Sequence, residues 1–193
     1  MIERLSIQHS TAIAQIHKDN LPSILSFYPV SVIKKFYEHQ LSSHDKNFAF
    51  GFFEGKELSG FVFGSLEVDS IFNEYVKSDF KNFLLKTLIE VIKNPKLFVY
   101  YLSGLFSKKL KLKNKIQLVY IAADKKAGKK GIGKALLDAF EQELQRRNIH
   151  YYELEVEKNN PALSFYQKNN FVTVSEINNF LEKKYLMGKH LTK

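Results

Sequence analysis

Ile116-Gln-Leu-Val-Tyr-Ile-Ala-Ala123 runs through Asp124 into Lys125-Lys-Ala-Gly-Lys-Lys-Gly-Ile-Gly-Lys134, and an amphipathic segment follows over residues 135–148. A second apolar strand, 152–156, leads into Asn159-Asn-Pro-Ala-Leu-Ser-Phe-Tyr166. The order is strand, glycine-rich turn, helix, strand, helix. A strand that delivers the chain into glycines and a helix start leaves several backbone N–H groups unpaired, all aimed one way at the positive end of the helix dipole. Glycine lets those amides approach a ligand with no side chain in between. Lys125, Lys126, Lys129, Lys130 and Lys134 surround the turn, so these residues predict a ligand that carries phosphate.

A nucleoside triphosphate is the first candidate. Gly128 to Ala135 reads G-K-K-G-I-G-K-A, one residue away from the pattern G-x-x-x-x-G-K-[ST]. The failing position is Ala135, which has no hydroxyl to ligate magnesium, and no metal-binding aspartate ends a later apolar strand. A dinucleotide turn does worse. Leu136 stands where a third glycine or alanine is needed, and no acidic residue closes a strand at the expected distance.

Residues 116–174 instead resemble the acetyl-coenzyme A core of the GNAT N-acetyltransferases. The pyrophosphate turn of that family reads [RQ]-x-x-G-x-[GA] ahead of a helix with leucines at its start, and Gly131-Ile-Gly133-Lys-Ala-Leu-Leu137 matches its second half. The family's asparagine followed by A-x-x-x-Y-x-K-x-G-F is matched by Asn159, Ala162, Tyr166, Lys168 and Phe171. Two positions depart. Gly128 stands where arginine or glutamine is usual, so Lys129 or Lys130 would have to supply that charge. Asn170 replaces the glycine before Phe171, a mild change because asparagine tolerates positive φ. The first 66 residues resemble the family more loosely.

The resemblance implies an α/β (α+β) fold with a mixed, mostly antiparallel sheet flanked by helices. It implies acetyl-coenzyme A as cosubstrate and no metal. The turn residues Gly128, Lys129, Lys130, Gly131, Ile132, Gly133 and Lys134 would hold its pyrophosphate. Ile121, Ala122 and Ala123 on one side, with Asn159, Ala162, Phe165 and Tyr166 on the other, would hold its arm. If strand 116–123 parts from 152–156 near its end, the freed N–H groups around Ile121 and Ala122 can bond the pantetheine and the thioester oxygen. Preorganised donors of that kind are worth ~3–4 kcal/mol in a transition state. Tyr166 is implied as the acid that protonates the departing thiolate, since a phenol of pKa ~10 stays neutral at neutral pH. Packing in an aromatic core is its other reading. Asn159 would bond the pantetheine, or else serve as a loop residue or helix cap before Pro161. An alkylamine acceptor arrives protonated and needs a base. Gln117 stands where many relatives carry a glutamate, which leaves Glu67, Glu155, Glu157 and His17.

Composition narrows the field further. A chain of 193 residues with 45% hydrophobic content suits one well-buried domain, 1–193. Cysteine is absent, which excludes disulfides, thiolate metal sites and a cysteine nucleophile, so transfer to the amine would be direct. Met1-Ile-Glu-Arg-Leu lacks the apolar run of a secretory signal, which points to the cytoplasm, and the lysine- and asparagine-rich composition hints at a bacterial source. The net charge of +9 is clustered at the turn and in Lys108-Lys-Leu-Lys-Leu-Lys-Asn-Lys115. The first cluster already has a polyanionic ligand, so nucleic acid is not the expected partner; the second reads as a solvated loop.

Along the chain the pattern predicts a strand over 2–7, a helix over 10–20 opened by Ser10 and Thr11 as caps, and a helix over 30–41 with Val32, Ile33, Phe36, Tyr37 and Leu41 inward. Strands over 47–53 and 58–66 follow, turning at Gly55. Residues 70–115 are a helical insertion before the coenzyme strand, with Phe80, Leu84, Leu88 and Ile92 at helical spacing, expected to pack on the domain and wall the acceptor pocket. Its uncharged stretch is far short of the ~20 residues that span a bilayer, though an interfacial helix is compatible with it. Strands over 172–177 and 185–191 close the chain, reversing at Asn178-Asn179. The acetyl-coenzyme A core is about 116–174. The predicted function is N-acetylation of a small amine such as an amino sugar or amino acid derivative. Protein acetylation, or a basic protein that binds nucleic acid or membrane without catalysis, are the alternatives. A homodimer is compatible with the pattern.

Overall fold

Two phenylalanine-rich segments and the strand before the lysine turn supply the middle of the sheet. The computed structural model of the chain describes residues 1–42, 45–99, 115–127, 131–178 and 183–191. Its strands are β1 (Ile2–Arg4), β2 (Asn47–Glu54), β3 (Glu57–Ser65), β4 (Gln117–Ala123), β5 (Tyr151–Glu157), β6 (Val172–Asn178) and β7 (Lys183–His190). Among the described residues they form one sheet in the order β1-β2-β3-β4-β5-β7-β6. Every neighbouring pair is antiparallel except β4–β5, which is parallel. The expected mixed, mostly antiparallel sheet is the one observed. β2 and β3 turn through Gly55, whose φ of +62° suits glycine. The expected reversal after Asn178 falls partly on residues 179–182, outside the described residues.

Helices cover both faces. On one face lie α1 (Ser10–Asn20), α2 (Val30–Ser42), α3 (Ile71–Ser78) and α4 (Phe80–Lys93); on the other lie α5 (Ile132–Arg146) and α6 (Leu163–Lys168). Strand alternation divides the core between them. Phe61, Phe63 and Ala122 face Ile13, Ile33, Phe36 and Tyr37, while Val62, Leu118 and Leu154 face Leu136, Leu137 and Phe140. The predicted inward set of α2 is buried, and Gln40 joins it by donating to the Ile71 carbonyl at 2.9 Å. Ser10 and Thr11 do not cap α1. Ser6 opens the preceding turn, its N–H donating to His9 Nδ1 at 3.0 Å, and Ser10 is buried inside the helix.

Within the expected insertion the described residues form helices over 71–78 and 80–93, with two differences from expectation. The single pattern over 72–93 breaks at Asp79, whose backbone (φ −141°, ψ 46°) leaves the helical region, so two helices form. The set Phe80, Leu84, Leu88 and Ile92 faces solvent, and Phe83 and Val91 pack on the core instead. Tyr28, in the α1–α2 loop, stacks on Phe83 at 5.6 Å and its hydroxyl meets Thr87 Oγ1 at 2.8 Å. A further helical stretch over 95–99 buries Leu97, and residues 100–114, including most of the second lysine cluster, lie outside the described residues.

Candidate active site

β4 is paired along one edge and nearly free along the other. It bonds β3 from Gln117 to Ala123 but meets β5 at one Cα pair, Gln117↔Glu153, secured by Glu153 N–H to the Ile116 carbonyl at 3.1 Å. Beyond that point the two strands part. A bulge at Val119 accompanies the split: Phe63 pairs with Tyr120 and Gly64 with Leu118, so Val119 and Tyr120 both turn to the α1–α2 face. The Asp124 N–H bonds the Ser59 carbonyl at 2.9 Å. Counting back by twos, the Ala122 amide also addresses β3, and the amides of Ile121 and Ala123 address the gap. Successive amides of a strand address opposite edges, so of the expected donors around Ile121 and Ala122 the first faces the gap and the second faces β3, with Ala123 next along the gap side.

The mouth of the gap is the start of α5. Gly131 is its N-cap in the left-handed region (φ 95°, ψ −5°), and the first helical bond runs from Ala135 N–H to the Gly131 carbonyl at 3.0 Å. The amides of Ile132, Gly133 and Lys134 are therefore first-turn donors without an intrahelical acceptor. No described atom lies within 4 Å of where a Gly131 Cβ would project. Ile132 sits so close over β3 that a Cβ on Gly60 would come 2.9 Å from its Cγ2. On the other side a Cβ on Gly133 would come 3.6 Å from the Phe165 ring. Lys134 is paired with Asp138 one turn on. Gly128, Lys129 and Lys130 lie outside the described residues.

Tyr166 enters from α6. It is buried among Phe165, Phe171 and Val156, and burial pushes its hydroxyl up to about 12. Among the described residues none hydrogen-bonds that hydroxyl. Asn160, not Asn159, turns the chain into α6: its Oδ1 accepts from Ala162 N–H at 2.8 Å. Asn159 is exposed at the end of β5. Asn170 has φ +65°, the conformation its place in the motif requires.

The other side of the gap is polar and partly acidic. β5 turns Tyr152, Leu154 and Val156 toward α5, which leaves Tyr151, Glu153 and Glu155 on the α1–α2 face. Glu153 is fully buried; one carboxylate oxygen accepts from Tyr151 Oη at 2.9 Å, and the other has no partner among the described residues. Gln117, its cross-strand neighbour, buries an amide nitrogen likewise without a partner among them. Tyr120, on the same face of β4, stacks on Phe63 at 6.3 Å. Burial first, then the Glu155 charge, push its hydroxyl well above the ordinary tyrosine value, with Ser23 pulling the other way. The Tyr120 ring meets His17 edge-on at 4.7 Å.

His17 is buried between Tyr37 Oη and Ser23 Oγ, each at 2.7 Å. Burial, then the charge of Lys18, hold it down to about 3, so it is neutral and structural near pH 7. Glu67 is occupied elsewhere, paired with Lys46 at 2.8 Å. Glu155, with Lys184 at 3.5 Å, is the carboxylate beside Tyr120. Sequence reasoning passed over Glu153, Tyr120, Ser23 and Gly60.

A strand with one free edge, splayed from its parallel neighbour and delivering into a glycine-capped helix, defines an acyl-coenzyme A transferase fold. The family profile described as an acetyltransferase (GNAT) domain matches residues 72–183, and the chain belongs to that family. No curated protein matches its sequence. Among solved structures, the ribosomal-protein-S18-alanine N-acetyltransferase of Escherichia coli is similar over 100% of this chain and 94% of its own, with a TM-score of 0.63 and 14% identity. Ard1 of Thermoplasma volcanium covers 100% and 98% at TM-score 0.62 and 17% identity. The PaiA N-acetyltransferase of Thermoplasma acidophilum, solved with coenzyme A, covers 98% and 99% at TM-score 0.61 and 17% identity. At these identities the likeness is one of fold.

Proposed function

We propose that the chain transfers an acetyl group from acetyl-coenzyme A directly to the amine of a small acceptor. The observation that carries this reading is the one-sided pairing of β4, which directs the Ile121 and Ala123 amides into a gap that opens onto the first turn of α5. The residues present fit the coenzyme. First-turn amides and open space at Gly131 suit a pyrophosphate, Phe165 faces Gly133 at the mouth of the gap, and Asn159 would bond the pantetheine arm. Lys129 and Lys130 would add charge there. When bound, acetyl-coenzyme A supplies an activated acetyl thioester with a good leaving group.

The side chains then divide the proton work. Glu155 accepts a proton from the incoming ammonium, directly or through water, because it is the carboxylate on the acceptor face beside the gap. Tyr166, kept protonated by burial, donates to the departing sulfur. Glu153, Tyr120 and Glu155 make the acceptor side attractive to a cation. The latch of Tyr28 onto Phe83 and Thr87 props α4 against the α1–α2 loop, which favours a short amine over an extended peptide.

Thiol release from acetyl-coenzyme A with panels of small amines and of peptides tests the reading. Turnover with small amines is expected; turnover with peptides alone would move the acceptor to a protein N-terminus or lysine. Tyr166→Phe is expected to lower kcat by about a hundredfold while coenzyme affinity, measured by calorimetry, holds. Unchanged kcat would leave Tyr166 as a packing residue.

A further inference from the structure

Phe80, Leu84, Leu85, Leu88, Ile89 and Ile92 form an apolar stripe on α4, and all six are exposed, from 42% at Ile89 to 81% at Ile92. Their spacing keeps them within one half of the helix circumference. The other half, with Phe83, Thr87 and Glu90, holds the helix on the domain, joined by Val91 at the edge of the stripe. Phe98 and Val99 add two more exposed apolar side chains just beyond the helix. Single exposed leucines are ordinary on a protein surface, but a run of this length on one helix marks a contact surface.

The charges say what it meets. Lys86 and Lys93 lie along one border of the stripe, Lys81 lies within it at the first turn, and Lys96 follows the helix, while its one acid, Glu90, is buried and held by Lys93 at 3.2 Å. The exposed side therefore carries cations and no carboxylate. Two copies meeting through this face would set those lysines against each other in chains of net charge +9. A protein interface is enriched in aromatic residues and depleted in lysine, and its anchors are chiefly tyrosine, tryptophan and arginine. Residues 80–99 contain none of the three. Leucine, isoleucine and phenylalanine on one side with lysines beside them is the composition of a helix that lies in the headgroup region of an anionic bilayer. At 1.5 Å per residue it is ~21 Å long and would lie flat. No described helix is long and apolar enough to cross.

We propose that α4 is a membrane-surface helix: its apolar stripe enters the acyl boundary of an anionic phospholipid bilayer while Lys86 and Lys93 on its border, and Lys81 extending from the first turn, reach the phosphates. The inference does not depend on acetyl transfer. Co-sedimentation of the full chain with vesicles of phosphatidylcholine, alone or with about one-third phosphatidylglycerol, reads it directly. Binding to the anionic vesicles, weakened by salt and much weaker on the neutral ones, is expected. Leu85→Glu with Leu88→Glu changes exposed positions only, so the urea midpoint should hold while partitioning falls at least tenfold. Lys81→Glu with Lys86→Glu should remove the preference for anionic lipid. No sedimentation with either vesicle, or undiminished binding by the leucine variant, would overturn the proposal. So would self-association in solution that the leucine variant abolishes, because the stripe would then belong to a second copy.

Discussion

Gly131 meets two demands that separate under mutation. Its φ of 95° lies where an L side chain is strained, and its missing Cβ leaves open the space in front of three unpaired amides. Valine would meet both penalties, with ~1–2 kcal/mol of backbone strain. Asparagine tolerates the left-handed region, as Asn170 and Asn148 do here, so it relieves the first while keeping an obstruction. Gly131→Asn is therefore expected to retain most of the thermal stability yet weaken coenzyme binding at least tenfold by calorimetry. Gly131→Val should lose both. If the asparagine variant bound the coenzyme normally, the amides of this turn would not be where the pyrophosphate rests.

The elements that build the gap are coupled through Gly60. A Cβ there would stand 2.9 Å from the Ala122 carbonyl and 2.9 Å from Ile132 Cγ2, so a larger residue must push α5 away from β4. Gly60→Val should raise the coenzyme dissociation constant more than Gly60→Ala, in step with a falling melting temperature. Binding that survives intact would mean the first turn of α5 has no fixed distance from β4. Most of this layer was legible in the sequence. Periodicity 3.6 marked α1, α2 and α5, each of which buries one face, and apolar runs bounded by glycine, proline or asparagine marked the hairpin and β4, whose central strands are covered on both faces. The bulge at Val119 was not legible, since no glycine or proline marks it and it arises from matching β4 to β3. Nor was the direction of α4: a pattern shows that a helix has an apolar stripe, not which way the stripe faces. The break at Asp79 left no signal for the same reason, and Glu153 became visible only when β4 and β5 were set side by side.

At the scale of the molecule, acid tests how the layers are held. Glu143 of α5 is nearly buried under three arginines: Arg146 and Arg147 on its own helix, each at 2.8 Å, and Arg4 of β1 at 3.2 Å. Hydrogen bonding from Arg146, then from Arg147 and with the nearby charge of Arg4, outweighs burial and holds its carboxyl down to about 2, against an ordinary 4.5. His17 is held down to about 3 against 6.5. In both cases the unfolded chain binds a proton before the folded one does, so both lose stability as pH falls, never as it rises. His17 acts first, between about 6.5 and 3, and Glu143 from about 4.5 down to 2. The urea midpoint should be flat above about pH 7, decline through the histidine window, and steepen below about pH 4.5 as the excess of positive charge grows. His17→Phe removes the partner of the buried Tyr37 hydroxyl, while Ser23 keeps its bonds to Ser26, and costs ~1–3 kcal/mol at neutral pH, but it should flatten the upper part of the decline. Glu143→Gln should leave that part unchanged and remove the lower one, detaching β1 from α5 at a similar cost. A wild-type midpoint that stays constant from pH 7 to 4 would show that His17 can take up its proton without disturbing Tyr37 and Ser23, and the clamp between α1 and α2 would have to be looser than its 2.7 Å hydrogen bonds indicate.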